Sequence, residues 1–385
     1  MTGSAFDEMN EEGFFDRVSN AFSEEAPDLN QSLNIAVVGK VSSGKSSLIS
    51  AILKLSRKES AKTVRVGATS GVTSSLSILR LDDRVCLIDS PGLNDVRKEN
   101  SQVTKNFLEH IDIGIFVITG SSDASQKECF DELKQHCDKV FVVLNKIDVW
   151  DELNPSALED VETQWKKQIG VSHIYPVCTK GYDPKSISSK MDIRGVASLR
   201  NDIEKFLEKN GKDLLLARHM AEKKSYATKI ILAALVAVAG AAFVPGSSVY
   251  IAAAQSVAIA SLYYLYKGEI LSSEAAIAVI PTFMAQSTGS SLFLAVKSFL
   301  PPTGVIDAAA AAVAVVITLA MLATINHLLA SGHELSESEL IQSLFKTYKK
   351  SAARAATDLG NTNINNRDGF KKIVSDFLNG RYSLS

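Results

Sequence analysis

The chain has 385 residues, enough for two domains, and 41 Lys/Arg against 43 Asp/Glu leave a net charge of −2, with no global field to attract nucleic acid. Its four cysteines (Cys86, Cys129, Cys137, Cys178) lack CxxC spacing and a neighbouring His cluster, which excludes a zinc ribbon or disulfide framework and fits a reducing, cytoplasmic setting. Charge is nevertheless uneven: residues 1–30 hold eight Asp/Glu and only Arg17, whereas 341–385 hold eight Lys/Arg and three Asp.

Residues 1–30 form an acidic extension in which Phe14, Val18 and Phe22 recur every four residues, predicting a short amphipathic helix that docks on the rest of the protein. The acidic polar face argues against insertion into anionic lipid. Residues 33–39, "LNIAVVG", read as a buried strand that feeds the loop and helix of "KVSSGKSSLISAIL". Together they place G-x-x-x-x-G-K-S at Gly39–Ser46. Successive backbone N–H groups of Gly39, Lys40, Val41, Ser42, Ser43, Gly44, Lys45, Ser46 and Ser47 would wrap phosphate oxygens; Lys45 would reach the terminal phosphates and Ser46 would ligate Mg²⁺.

The strand in "RVCLIDSPGL" ends at Asp89, suited to hold the cation through water, and Gly92 is placed to offer its N–H to a γ-phosphate. A strand is expected at 112–118, a polar helix near 123–136, and a strand "KVFVVL" leading into "NKID", Asn145–Asp148. The Asp148 carboxylate can accept both N–H donors on guanine's edge, which selects GTP over ATP, and Asn145 and Lys146 flank it. A helix is expected near 155–168. The strand "HIYPV" then delivers Cys178, Thr179 and Lys180, where a backbone N–H can meet the guanine oxygen and Lys180 can lie along the base. The last helix of this part runs from about 194 to 209, with the domain boundary at 212.

Four such motifs in order, each after an apolar strand, resemble the translation-factor-like P-loop GTPases, and within them the Era-like and dynamin-like branches, over about residues 33–210. The resemblance implies a six-stranded, mostly parallel sheet flanked by helices, with GTP at the strands' carboxyl ends. It makes residues 58–73 the first switch loop and Thr73 the threonine that ligates Mg²⁺ and senses the γ-phosphate, with Thr69 as the alternative. Leu93 stands where Ras-like enzymes carry a water-orienting glutamine, so slow intrinsic hydrolysis is expected. Relatives with an apolar residue there often use a monovalent cation, a dimer partner or a residue from another loop. Ser42 matches the dynamin-like side. Arg57 and Arg65 read first as solvated loop charges and second as arginine fingers.

Beyond Lys229 the composition turns to Ala, Val, Ile, Leu and Ser, with uncharged runs at 230–266, 275–296 and 308–325. Segments 247–266 and 308–325 approach the length of a membrane span, and the flanking lysines place both ends on the cytoplasmic side, implying an even number of crossings. A tightly packed helical bundle in water can carry the same composition, and Gln255, Gln286 and Asp307 are awkward in lipid. A repeat aligns Phe243 with Phe299, and "GEILS" and "GHELS" follow the two helices; a capping box from Ser336 to Glu339 would start the next one. The region looks like the hydrophobic helical domain appended to many bacterial Era-like GTPases.

The expected architecture is therefore an α/β P-loop GTPase domain at 31–212, followed by an all-α hydrophobic helical domain at 213–357 and a basic tail at 358–385. The expected cofactors are GTP/GDP and Mg²⁺, and possible use of a monovalent cation is left open. Expected partners are membrane lipid, a second copy through the GTPase domain, and a protein effector. Without an RNA-stacking pattern or GxxG loop, nucleic acid is not expected.

Overall fold

The computed structural model describes residues 11–60, 77–90, 110–121, 124–154, 156–182, 190–241, 247–283, 308–361 and 367–382. Arg65, Thr69, Thr73, Gly92, Leu93, Phe243, Gln286, Phe299 and Asp307 lie outside them. The chain divides into two units, Asp28–Glu222 and Met1–Pro27 with Lys223–Ser385.

In the first unit the apolar runs become strands β1 (Leu33–Val38), β3 (Val85–Ser90), β4 (Ile111–Ile118), β5 (Cys137–Leu144) and β6 (Tyr175–Pro176), preceded at the edge by β2 (Ser77–Arg80). Their order is β2-β3-β1-β4-β5-β6, with β2 antiparallel to β3 and the other described pairings parallel. β1 and β4 are buried along their whole length, as a parallel sheet covered on both faces demands of continuous apolar strands. On one face α3 (Ala124–His136) and α4 (Ser156–Ile169) set Phe130, Leu133, Val161 and Trp165 against Phe116, Val142 and Leu144. α2 (Lys45–Ile52) contacts α5 (Val196–Lys209), and the Arg200 guanidinium donates to the Ile52 and Ala51 carbonyls at 2.9 and 2.6 Å, closing the carboxyl end of α2. Cys178–Lys180, expected simply to follow a strand, forms β7, which pairs with β8 (Asp192–Arg194) as a separate antiparallel ribbon.

The chain does not leave this unit at 212, where the sequence reading drew the boundary. A short helix, α6 (Asp213–Ala217), buries Leu214, Leu215 and Leu216, and the Ala221 N–H donates to the Leu53 carbonyl at 3.1 Å. Apolar burial and ion pairs thus hold the connector as far as Glu222.

In the second unit α1 (Glu11–Glu25) contacts α8 (Ser247–Lys267) and α9 (Ser273–Val279). Its Phe14, Val18 and Phe22 are buried, Phe22 among Ala260 and Ala276, so the four-residue spacing is the docking face. α7 (Lys224–Ala241), α8 and α10 (Ala308–Ala330) pack on one another. By length and composition, three segments among the described residues could cross a membrane: Lys224–Ala241, Ser248–Lys267 and Val313–Ala330. The first is 39% buried within the protein, the others 83% and 72%. Between α8 and α10, Gln255 Nε2 donates to Thr318 Oγ1 at 2.8 Å, with both side chains buried.

Gly268 (φ 79°) and Gly332 (φ 87°) take the left-handed conformation just after α8 and α10, which explains the recurring glycines. The expected Ser336–Glu339 box is not what opens α11 (Ser338–Asn361): Glu337 reaches back instead, accepting from the Glu334 N–H at 2.8 Å. Residues 358–385 are not simply a basic tail. α11 runs through Asn361, and α12 (Arg367–Leu378) buries Val374 and Phe377, the latter ring 5.9 Å from Tyr348.

Candidate nucleotide site

Every described residue singled out for nucleotide or cation lies at or just past the carboxyl ends of β1, β3 and β5 or in β7, which follows β6, because a parallel sheet delivers its strands to one edge. Gly39 follows β1, where an added Cβ would collide with the Val117 carbonyl. Lys40, Val41 and Ser42 are exposed, and Ser42 has φ 65°. Gly44 (φ 86°) precedes α2 and lies so close to the Asn145 amide that a Cβ there would clash. Lys45 and Ser46 begin the helix, with Ser47 half-buried behind them.

Lys45 Nζ donates to the Gly39 and Lys40 carbonyls at 2.9 and 3.1 Å and stands 3.5 Å from Asp89 Oδ1. Ser46 Oγ donates to Asp89 Oδ2 at 2.5 Å. Ser43 Oγ is buried with no hydrogen-bond partner among the described residues, the kind of orphan that an oxyanion in the loop would satisfy. Tight glycines, an unpaired buried hydroxyl, an ammonium and a hydroxyl–carboxylate pair together fit a polyphosphate with a divalent cation.

Asn145 joins this cradle to the base side. Its buried Nδ2 donates to the Ser43 carbonyl at 2.9 Å, while Thr179 Oγ1 donates to its Oδ1 at 3.2 Å. Lys146 is left-handed (φ 63°) and opens the turn that carries Asp148. Asp148 pairs with Lys180 Nζ at 3.2 Å and lies 3.6 Å from Cys178 Sγ. Burial pushes the Cys178 thiol above its ordinary pKa, while the Asp148 hydrogen bond raises that of Lys180, so the thiol stays protonated and the amine charged at neutral pH.

Sequence reasoning missed how the base loop is braced. The Tyr182 hydroxyl donates to the Leu55 carbonyl at 2.5 Å, and Arg57 is only partly exposed, its Nη2 packed against Gly181 rather than standing free in solvent. Tyr182 and Leu55 are 127 positions apart, and no local pattern links them.

Residues 34–146 match the family model described as 50S ribosome-binding GTPase. The chain is 31% identical over 148 residues to GTPase Der of Campylobacter fetus, covering 37% of this chain and 29% of that one. To the tRNA modification GTPase MnmE of Thermoanaerobacter sp. it is 27% identical over 195 residues, covering 47% and 39%. The chain thus spans well under half the length of these curated relatives. Among solved structures, translation elongation factor SelB of Methanococcus maripaludis matches at 20% identity over 46% of this chain and 34% of that one, with a TM-score of 0.30. The geometry and the family match together identify the sheet unit as a P-loop GTPase domain.

Proposed function

We propose that the protein binds GTP with Mg²⁺, hydrolyses it to GDP and phosphate, and uses nucleotide state to control the conformation, membrane engagement or self-association of its helical unit. The observation that carries the nucleotide reading is Asn145, a buried side chain that ties the phosphate loop to β7, Cys178–Lys180, so that triphosphate and base meet one rigid frame. In this reading Gly39–Ser47 cradle the phosphates, and Lys45 neutralises the terminal ones. Ser46 and Thr73 ligate Mg²⁺, Asp89 holds it through water, and Gly92 offers its N–H to the γ-phosphate. Asn145, Lys146 and Asp148, with Cys178, Thr179 and Lys180, take the guanine. The likeness to Der and MnmE supports GTP as the substrate. Membrane engagement at the cytoplasmic face is supported by α7, an apolar helix of spanning length that is only 39% buried in the protein.

A second reading is a GTP-regulated interaction protein whose bundle binds a protein partner. The 83% and 72% burial of the other two apolar segments favours it, because they retain little surface for lipid.

Phosphate release by the full chain tests both readings, with GTP or ATP, in K⁺ or Na⁺, and with or without anionic and neutral vesicles. GTP should turn over slowly, ATP should not, and vesicles should raise the rate. Equal turnover of ATP would overturn the guanine assignment. A rate indifferent to vesicles, with no flotation of the chain, would favour the second reading.

A further inference from the structure

α11 has two unlike sides. Ile341, Phe345, Ala352 and Ala355 are buried where the helix packs along α10, and the Phe345 ring lies 5.0 Å from that of Phe283. On the other side Lys346, Lys349, Lys350 and Arg354 recur at helical spacing, all exposed, over about 12 Å of helix axis at about 1.5 Å per residue. α12 packs on α11 and adds the exposed Lys371 and Lys372, while its Val374 and Phe377 point into the bundle. Of the three acids in residues 341–385, Asp376 is taken by Arg381 at 2.6 Å and Asp358 accepts from the Tyr382 hydroxyl at 2.6 Å. A strongly positive face thus stands on a chain whose net charge is −2.

We propose that this face of α11 and α12 docks on the phosphates of an anionic phospholipid bilayer; the proposal deepens the membrane-engagement reading above and rests on it. An interfacial helix ordinarily sinks its apolar face among the headgroups. α11 and α12 have committed theirs to the bundle, so the contact is electrostatic, with cations at the surface and none of these buried side chains in the hydrocarbon. Five of the six cations are lysines, compact point charges on flexible stems that meet mobile headgroup phosphates without a fixed geometry. A separate observation favours a bilayer over a polynucleotide. α12 packs against α7, whose Ala233, Val236, Ala237 and Gly240 are exposed, and Lys224 Nζ at the start of α7 donates to Asn379 Oδ1 just past α12. The same unit therefore offers cations and apolar surface, and a bilayer supplies anions beside hydrocarbon. Single-stranded nucleic acid calls instead for open aromatic rings, whereas Phe345 is packed on Phe283 and Tyr348 on His327 and Phe377.

By the strength of a single lysine near an anionic surface, losing two of these cations should weaken binding about tenfold. The attraction should also fade as the Debye length shrinks from about 10 Å at about 0.1 M salt to about 3 Å at about 1 M. The test is flotation of the full chain on vesicles of phosphatidylcholine alone, or of phosphatidylcholine and phosphatidylglycerol in equal parts, at those two salt concentrations. Three variants each remove two exposed charges: Lys349→Gln/Lys350→Gln on α11, Lys371→Gln/Lys372→Gln on α12, and Lys134→Gln/Lys167→Gln on α3 and α4 of the sheet unit. Wild type should float on the mixed vesicles and detach at high salt, the α11 and α12 variants should bind that much more weakly, and the Lys134/Lys167 variant should follow wild type. An equal loss in all three would reduce the effect to net charge and overturn the docking face. Equal flotation on both vesicles at both salt concentrations would overturn it too, leaving membrane engagement to the apolar helices. No flotation on either would sink the membrane reading itself. Binding of polyuridylate in place of vesicles, lost in the α11 and α12 variants, would overturn lipid in favour of nucleic acid.

Discussion

Gly44 shows how little freedom the phosphate loop has. A β-carbon there would have to hold φ near +86°, costing about 1–2 kcal/mol, and would also strike the Asn145 amide that fastens the loop to the base side. Gly44→Ala should therefore weaken GDP binding by about tenfold or more, the equivalent of 1.4 kcal/mol, as read by titration calorimetry. The grouping of Lys45, Ser46, Asp89 and Asn145 was legible in the sequence because each follows an apolar strand, and parallel strands end on one edge. Asp82, Tyr182 and Arg200 were not. Each has a partner at least 127 positions away, and neither hydrophobic period nor motif spacing encodes such meetings.

At the level of elements, the turn between β2 and β3 makes a pH-dependent contribution to stability. Burial would raise the Asp82 pKa, but the Arg84 and Val85 N–H groups and the nearby His219 and Arg218 outweigh it and hold the carboxyl below its ordinary value. A group depressed in the folded state stabilises fully above its unfolded pKa, about 3.9, and loses that contribution as pH falls through the folded value. Urea midpoints should show wild type well above Asp82→Asn at pH 6.5, with the gap narrowing below about pH 4. Helix lengths were readable in advance: 155–168 was expected and Ser156–Ile169 is seen, and the four-residue spacing on α1 is its buried face. β2 and the β7–β8 ribbon escaped notice because strands of three or four residues are too short to display a period. The last helix was taken for a tail because residues 341–385 hold eight Lys/Arg against three Asp, although Val374 and Phe377 anchor it.

On the scale of the molecule, the change of composition past Lys229 correctly signalled a second kind of structure, but the units do not follow chain order: residues 1–27 fold with 223–385. Linear reading assigns neighbours by sequence, whereas α1 finds its apolar partners on α8 and α9 more than two hundred positions away. Within that unit, α8 and α10 are long runs of small aliphatic side chains, and such surfaces mesh almost equally well after sliding by one turn. The Gln255–Thr318 bond removes that ambiguity. Slipping by one turn would strand an amide and a hydroxyl among alanines, so Thr318→Val alone should cost about 1–3 kcal/mol. Gln255→Leu with Thr318→Val should melt near wild type or above, and adding Tyr266→Phe, which removes the bond to Asn326, should give broadened methyl NMR signals as the two helices sample more than one alignment. The pair acts as an index mark on the scale, together with the Tyr266 hydroxyl on α8, which donates to Asn326 Oδ1 on α10 at 2.8 Å. Any rearrangement of this bundle is thereby steered toward moving α8 and α10 as one body, and whatever ligand drives the change need only bias a choice between few arrangements.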